Sequence, residues 1–247
     1  MRAVEGVLFD IDDTLVDTAG AFRHALRAVA QRYLVGVDET RAPEVLAVWR
    51  ADAAGHYGSY TRGEVGYREQ RMARANELQA AFGGAPLDEA SYDEWNAVFE
   101  AGFSGSWAAH PEASAVVDHL LRAGVAVGAL SNAGVAYQTA KLERTGFGGR
   151  VPMLVGVDTL GVGKPDRQVF LEACRLLGTD PSRTAYVGDE LDVDARAAVS
   201  AGLRGIWVDR AGPRRVPVRE DDVAAARAEG VTVITTLAAL PDVLGLR

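Results

Sequence analysis

The chain has one cysteine, Cys174, only two lysines, Lys141 and Lys164, and no apolar run near the roughly 18 residues that span a bilayer as a helix. A single cysteine excludes an intrachain disulfide and any cysteine metal cluster. Lying in the helical-looking run Gln168 to Leu177, Cys174 reads as a small buried apolar residue. Positive charge is also short: 26 Lys and Arg face 34 Asp and Glu, a net charge of −8. General attraction to nucleic acid or to an anionic membrane is therefore disfavoured, and an anionic ligand would need a local cationic site. The opening MRAVEGVLFD carries charge ahead of a short apolar run and lacks a signal-peptide h-region, so a cytoplasmic location is expected. The histidines His24, His56, His110 and His119 have no metal-ligand spacing and read as surface or packing residues, although His56 beside Tyr57 could face a substrate.

What is present is ample apolar material. With 247 residues, 48% of them hydrophobic, the chain can bury a full core as one large α/β domain or as a core carrying a smaller insertion. Gly6 to Phe9 form an apolar, strand-like run that ends in Asp10-Ile11-Asp12-Asp13-Thr14, a cluster no strand interior tolerates. From Thr18 the spacing becomes helical, with Phe22, Leu26, Val29 and Tyr33 on one face. Further helical runs follow at Glu44–Trp49, Tyr67–Phe82 and Ser91–Phe103, and no strand is read before Gly105. The apolar Trp49, Tyr57, Tyr60 and Trp95 are expected in the insertion's own core rather than in a pocket.

Beyond the insertion, Pro111 opens a helix to Arg122 and strands alternate with helices: Val125–Leu130, Tyr137–Thr145, Met153–Val155, Gln168–Leu177, Thr184–Val187, Ala195–Ala201, Gly205–Val208 and Thr232–Ile234. That alternation predicts a parallel sheet. Ala211–Glu220 reads as a loop whose Arg214 and Arg215 form a solvated face.

Parallel sheets bind ligands outside the carboxyl ends of their strands, so residues just after each strand are the candidates. They are Asp10, Asp12 and Thr14, then Ser131-Asn132, then Lys164-Pro165, then Gly188-Asp189 with Asp192 and Asp194. Converging carboxylates repel unless a cation neutralises them, and an all-oxygen donor set suits Mg²⁺. One carboxylate would then be free to attack phosphorus.

These four clusters, in this order, resemble the four motifs of the haloacid dehalogenase-like superfamily, over roughly the whole chain. The resemblance implies a Rossmann-like α/β parallel-sheet core, residues 1–17 and 106–247, with a smaller α-helical cap, residues 18–105. It implies that Asp10 is the nucleophile forming an aspartyl-phosphate and that Asp12 protonates the leaving oxygen and then activates water, in an environment that holds a proton near neutral pH. Thr14, Ser131, Asn132 and Lys164 would hold the substrate phosphate, Thr14 also steadying its motif and Lys164 also screening Asp10. Asp10, the Asp12 backbone carbonyl and Asp189 would bind Mg²⁺, and Asp194, in competition with Asp192, would support the metal site or Lys164. Asp13 and Asp17 are expected in solvent. A cap of this size implies a small phosphorylated metabolite, with no nucleic acid or membrane as partner; monomer and homodimer stay equally open.

Asp12 argues against a dehalogenase, which generally lacks it, and a cap without lysine argues against a phosphonoacetaldehyde hydrolase. A sugar phosphomutase and a non-catalytic binding protein remain alternatives to a phosphatase. Asp12–Leu26 is similar to the start of acylneuraminate-9-phosphatase-like and phosphoglycolate-phosphatase-like members, but the stretch is too short to name a substrate.

Overall fold

The computed structural model describes residues 4–34, 36–212 and 216–246. Two compact units result, one of Met1–Asp17 with Ala109–Arg247 and one of Thr18–Ala108, the second joint lying slightly beyond the expected 105/106.

The chain starts with strand β1 (Gly6–Phe9), all four residues buried. Helices α1 (Thr18–Tyr33), α2 (Ala42–Ala51), α3 (His56–Thr61), α4 (Tyr67–Ala81) and α5 (Glu89–Gly105) make up the second unit. Its aromatics build its own core: Trp95 stacks on Phe99 at 5.5 Å, Phe99 on Phe103 at 5.6 Å, and Phe22 lies 4.5 Å from Phe103. Trp49, Tyr60 and Trp95 are buried and Tyr57 is half-buried. Arg74 sits 4.2 Å over the Trp49 ring and Arg71 4.6 Å over Phe99, so their aliphatic stems cover apolar surface while the guanidinium groups meet aromatic faces. Asp88 starts α5 with a reciprocal cap, accepting from the Ser91 N–H while the Asp88 N–H donates to Ser91 Oγ.

In the first unit follow α6 (Ala113–Arg122), β2 (Ala126–Leu130), α7 (Val135–Arg144), β3 (Met153–Val155), α8 (Val157–Leu160), α9 (Arg167–Leu177), β4 (Thr184–Gly188), α10 (Ala197–Ala201), β5 (Arg204–Val208), α11 (Glu220–Ala228), β6 (Thr232–Ile234) and α12 (Leu240–Leu244). The six strands form one parallel sheet in the order β3-β2-β1-β4-β5-β6. Buried on both faces, they read as continuous apolar runs. One cluster packs Leu8, Leu130, Val155, Phe170 and Tyr186; another packs Leu191, Trp207, Ala226 and Val231. Each such large side chain contributes about 1.5–3 kcal/mol on leaving water.

Several local differences from the sequence reading have physical causes. Pro111 lies in a turn closed by Ala113 N–H to His110 O, so α6 begins at Ala113 with Glu112 as its cap. The helix expected from Ala195 is preceded by a wide π-turn over Leu191–Arg196, an irregularity common at functional sites. Helix α11 was not foreseen; its first turn carries Glu220, Asp221 and Asp222, which favour the positive helix start. Arg214, Arg215 and Pro213 of the expected loop lie outside the described residues.

The strand order reverses between β1 and β4, whose registers pair Gly6 with Thr184 and Phe9 with Val187. The connections leaving these two strands diverge to opposite sides, opening a crevice at their carboxyl ends. Asp10 and Asp189 flank it.

Candidate active site

Asp10 continues β1, its N–H donating to Val187 O at 2.8 Å, and its side chain is only 6% exposed. Its Oδ1 accepts from Lys164 Nζ at 2.8 Å. The same ammonium donates to Asp194 Oδ1 at 2.7 Å and to the Tyr186 hydroxyl at 2.7 Å, and Tyr186 in turn donates to Leu130 O at 3.1 Å. An ammonium has three donors, and all three are engaged within the protein. Lys164, expected on the substrate phosphate and as a screen for Asp10, holds two carboxylates and a phenol.

The main chain of Lys164 is held as firmly. Its N–H donates to Asn132 Oδ1 at 2.6 Å, and Asn132 Nδ2 donates to Lys164 O at 2.9 Å. Asn132, also expected on the phosphate, therefore serves as a brace between the β2 end and the Lys164 loop. Gly163 makes that brace possible, because a Cβ there would sit 2.4 Å from Asn132 Oδ1.

Asp194 reaches Lys164 from the π-turn, its Oδ2 accepting from the Glu190 N–H at 3.0 Å. It crosses Gly188 so closely that a Cβ on that residue would lie 2.3 Å from Asp194 Oδ2. Asp192, its rival in the sequence, turns away to pair with Arg196 at 2.7 Å. Asp189 follows β4, half-buried, its backbone carbonyl accepting from Trp207 Nε1 at 2.8 Å.

Asp10, Asp189 and Asp194 each offer a carboxylate oxygen within 4.8 Å of the others. Burial, with Asp194 and Asp12 adding repulsion, pushes Asp10 up to about 8 against the pull of Lys164. Burial and the neighbouring Asp13, Glu190, Asp10 and Asp194 likewise push Asp189 well above the usual carboxylate range. For Lys164 burial works against the charge, yet Asp10 and Asp194 outweigh it and hold the ammonium well above its ordinary value.

Asp12 faces a different pair of donors. Lys141 Nζ donates to its Oδ1 at 2.5 Å and Gln138 Nε2 to its Oδ2 at 2.6 Å. Gln138 Nε2 also donates to Ser131 Oγ at 2.8 Å, linking the residue after β2 to the carboxylate after β1. Donors on both oxygens fix the plane of the Asp12 carboxyl group. Lys141 and Gln138 went unassigned in the sequence, although Lys141 is one of only two lysines and lies one helical turn from Gln138.

Thr14 is fully buried and its Oγ1 has no hydrogen-bond partner among the described residues. Its carbonyl instead accepts from Arg210 Nη2 at 3.0 Å, while Arg210 Nη1 meets Glu112 at 2.6 Å, so the turn after β1 is held by a β5-side arginine the sequence did not single out. Asp13, expected in solvent, is half-buried in that turn with left-handed backbone at φ 56°, its N–H donating to Val16 O.

Residues 4–202 match the family model described as haloacid dehalogenase-like hydrolase. The chain is 33% identical over 204 residues to the N-acetylmuramic acid 6-phosphate phosphatase of Pseudomonas aeruginosa, spanning 81% of this chain and 80% of that one. It is 28% identical over 223 residues to the glyceraldehyde 3-phosphate phosphatase of Methanopyrus kandleri, spanning 89% and 90%. Among solved structures, the magnesium-bound putative HAD-hydrolase YfnB from Bacillus subtilis shares the fold with a TM-score of 0.77, at 18% identity over 99% of this chain and 100% of that one. No helix among the described residues is long and apolar enough to cross a membrane.

Proposed function

This chain belongs to the haloacid dehalogenase-like hydrolases, and from that membership we propose that it hydrolyses a phosphate monoester of a small metabolite through a phosphoryl group carried on Asp10. The observation that carries the reading is the convergence of Asp10, Lys164, Asp189 and Asp194 at the reversal in strand order, with Asp12 beside them. The phosphatase names of the relatives support the same class of substrate.

The donor set fits a divalent cation of the Mg²⁺ kind. It is all oxygen, and the burial and repulsion that raise Asp10 and Asp189 are what a bound cation relieves. Asp10, Asp189 and the Asp12 carbonyl would hold it, while both Asp194 oxygens are already committed, one to Lys164 and one to the Glu190 N–H. Bound there, Mg²⁺ supplies charge neutralisation for the phosphoryl oxygens.

The chain's own residues carry the rest. An Asp10 carboxylate oxygen bonds to phosphorus as the ester P–O bond breaks, and Asp12, entering as the acid, gives its proton to the departing oxygen. Water then attacks the same phosphorus, the P–O bond to Asp10 breaks, and Asp12 as carboxylate takes the water's proton. With a side chain 38% exposed, Asp12 exchanges protons with solvent between turnovers. Lys164 keeps Asp10 aimed, and Ser131 closes the phosphate side. Choice among esters falls, in this reading, to the helical unit, residues 18–108.

The test is phosphate release from a panel of small phosphomonoesters, with and without Mg²⁺. Metal-dependent release is expected, and Asp10→Asn should lower it by at least about 10³-fold with the fold intact, since a carboxamide cannot form the covalent intermediate. Substantial turnover by Asp10→Asn, with its fold verified by circular dichroism, defeats the assignment.

A further inference from the structure

We infer that Lys141 and Gln138 are positioning residues for Asp12: one helix grips both oxygens of the acid–base carboxylate and sets the plane in which it meets the leaving oxygen. The inference rests on the proposed phosphomonoester hydrolysis. It concerns residues that the four-motif pattern does not include.

The geometry begins with α7. Gln138 and Lys141 are three positions apart and so share one face of the helix, both fully buried. A carboxylate held by one donor keeps its freedom about the terminal torsion, whereas donors at 2.5 Å on Oδ1 and 2.6 Å on Oδ2 define the plane of the group. The second amide hydrogen of Gln138 reaches Ser131 Oγ, so the same side chain sets the carboxylate relative to the residue that follows β2.

Stability alone does not account for Lys141. Burying an ammonium is costly, and a well-packed apolar side chain of the same volume is often as stable or more so. Here the Lys141 side chain is 2% exposed while its partner Asp12 is 38% exposed, so a desolvated cation is maintained against an anion that stays open to solvent. That asymmetry is wasteful for a structural ion pair and useful for an acid that must meet a substrate oxygen.

During ester cleavage the P–O(ester) bond breaks as P–O(Asp10) forms, and the Asp12 proton passes to the departing oxygen. What remains at Asp12 is a carboxylate, and Lys141 lies on it before, during and after the transfer. Lys141 touches neither phosphorus nor the leaving group, so its effect passes through Asp12.

The readout is leaving-group dependence. An alkyl alkoxide must be protonated as it leaves, whereas p-nitrophenolate leaves without help. The parameter kcat/KM covers steps up to the transfer of phosphoryl to Asp10, so it isolates the acid step from hydrolysis of the intermediate. For the alkyl phosphate that the wild type turns over best, Lys141→Met should lower kcat/KM about 100-fold, and for p-nitrophenyl phosphate less than about tenfold, with KM within about threefold for both, general acid catalysis being worth 10²–10⁴. Gln138→Leu should shift the ratio in the same direction by less, and Lys141→Arg should restore at least about tenfold of the alkyl loss, since it returns a cationic donor.

Melting curves run alongside; if Lys141→Met does not fold, the ester ratios of Gln138→Leu and Lys141→Arg decide the matter. Equal losses on both esters, or no loss on either, overturn the inference while leaving the phosphatase reading standing. A wild type that releases phosphate from neither ester overturns that reading, and the inference falls with it.

Discussion

The two lysines of this chain stand in opposite relations to their carboxylates. Lys164 is saturated: Asp10, Asp194 and Tyr186 take its three donors at 2.7–2.8 Å, and every partner is buried. Lys141 is equally buried but reaches out to a half-exposed carboxylate, Asp12. In the proposed reaction the first arrangement would hold the nucleophile still among other charges, and the second would hold the group that exchanges protons with substrate and water. A buried ammonium is thus used once as a fixed counter-charge and once as a handle.

The comparison is broken most forcefully at Lys164. Lys164→Met removes the counter-charge shared by Asp10 and Asp194, and breaking a buried pair in this way typically costs about 3–5 kcal/mol. Lys141→Met leaves Asp12 able to turn to water and should cost on the order of 1 kcal/mol. Urea unfolding of the two variants side by side measures the gap; equal losses would show that the two sites do not differ in kind.

A second contrast lies in pH and metal. In the metal-free folded chain Asp10 keeps its proton up to about 8, against 3.8 for its ordinary value, so folding retains an extra proton between those limits. The unfolded state binds fewer protons there, and stability must fall as pH rises from about 4 to about 8, with Asp189 acting in the same direction. Because Mg²⁺ neutralises the ionised forms, it should raise Tm more at pH 8 than at pH 5. Thermal melts with Mg²⁺ or with a chelator at both values check this, and a metal effect independent of pH would place the cation elsewhere.

The smallest effect sharpens the Lys164 side. Tyr186→Phe removes one of three acceptors from that ammonium and the donor to Leu130 O, and should cost about 1–2 kcal/mol. Because Asp10 and Asp194 still hold Lys164, activity should fall less than about tenfold, which is under about 1.4 kcal/mol of transition-state stabilisation. Phosphate-release kinetics on the folded variant measure it; a loss as large as that of Asp10→Asn would make Tyr186 part of the chemistry.

Much of the frame was legible because parallel strands covered by helices are written as short apolar runs, at the half-buried edges as well as at the buried centre. Gly6–Phe9, Met153–Val155 and Thr232–Ile234 coincide with the observed strands, and the acidic residues that end β1 and β4 do meet. Less visible were features in which a side chain serves another element's backbone. Asn132 looks like a ligand in a one-dimensional motif, yet both ends of its amide lie on Lys164. Thr14 looks equally available until the fold closes over it, and Arg210, nearly two hundred residues away, turns out to hold its carbonyl.

The sequence by itself determined the kinds of group that collect at one sheet edge: carboxylates after two strands, a rare lysine between them, and a long helical stretch after the first. Local patterning suffices there, since strand ends and helical periods are set by neighbours in the chain. The resemblance already set Lys164 beside Asp10, but only the tertiary structure decided that Lys141 serves Asp12. Lys141 meets Asp12 across 129 positions and Lys164 meets Asp10 across 154. Such pairings depend on the order of strands in the sheet and on which face of α7 turns inward, and distances of that kind leave no periodic trace in a sequence.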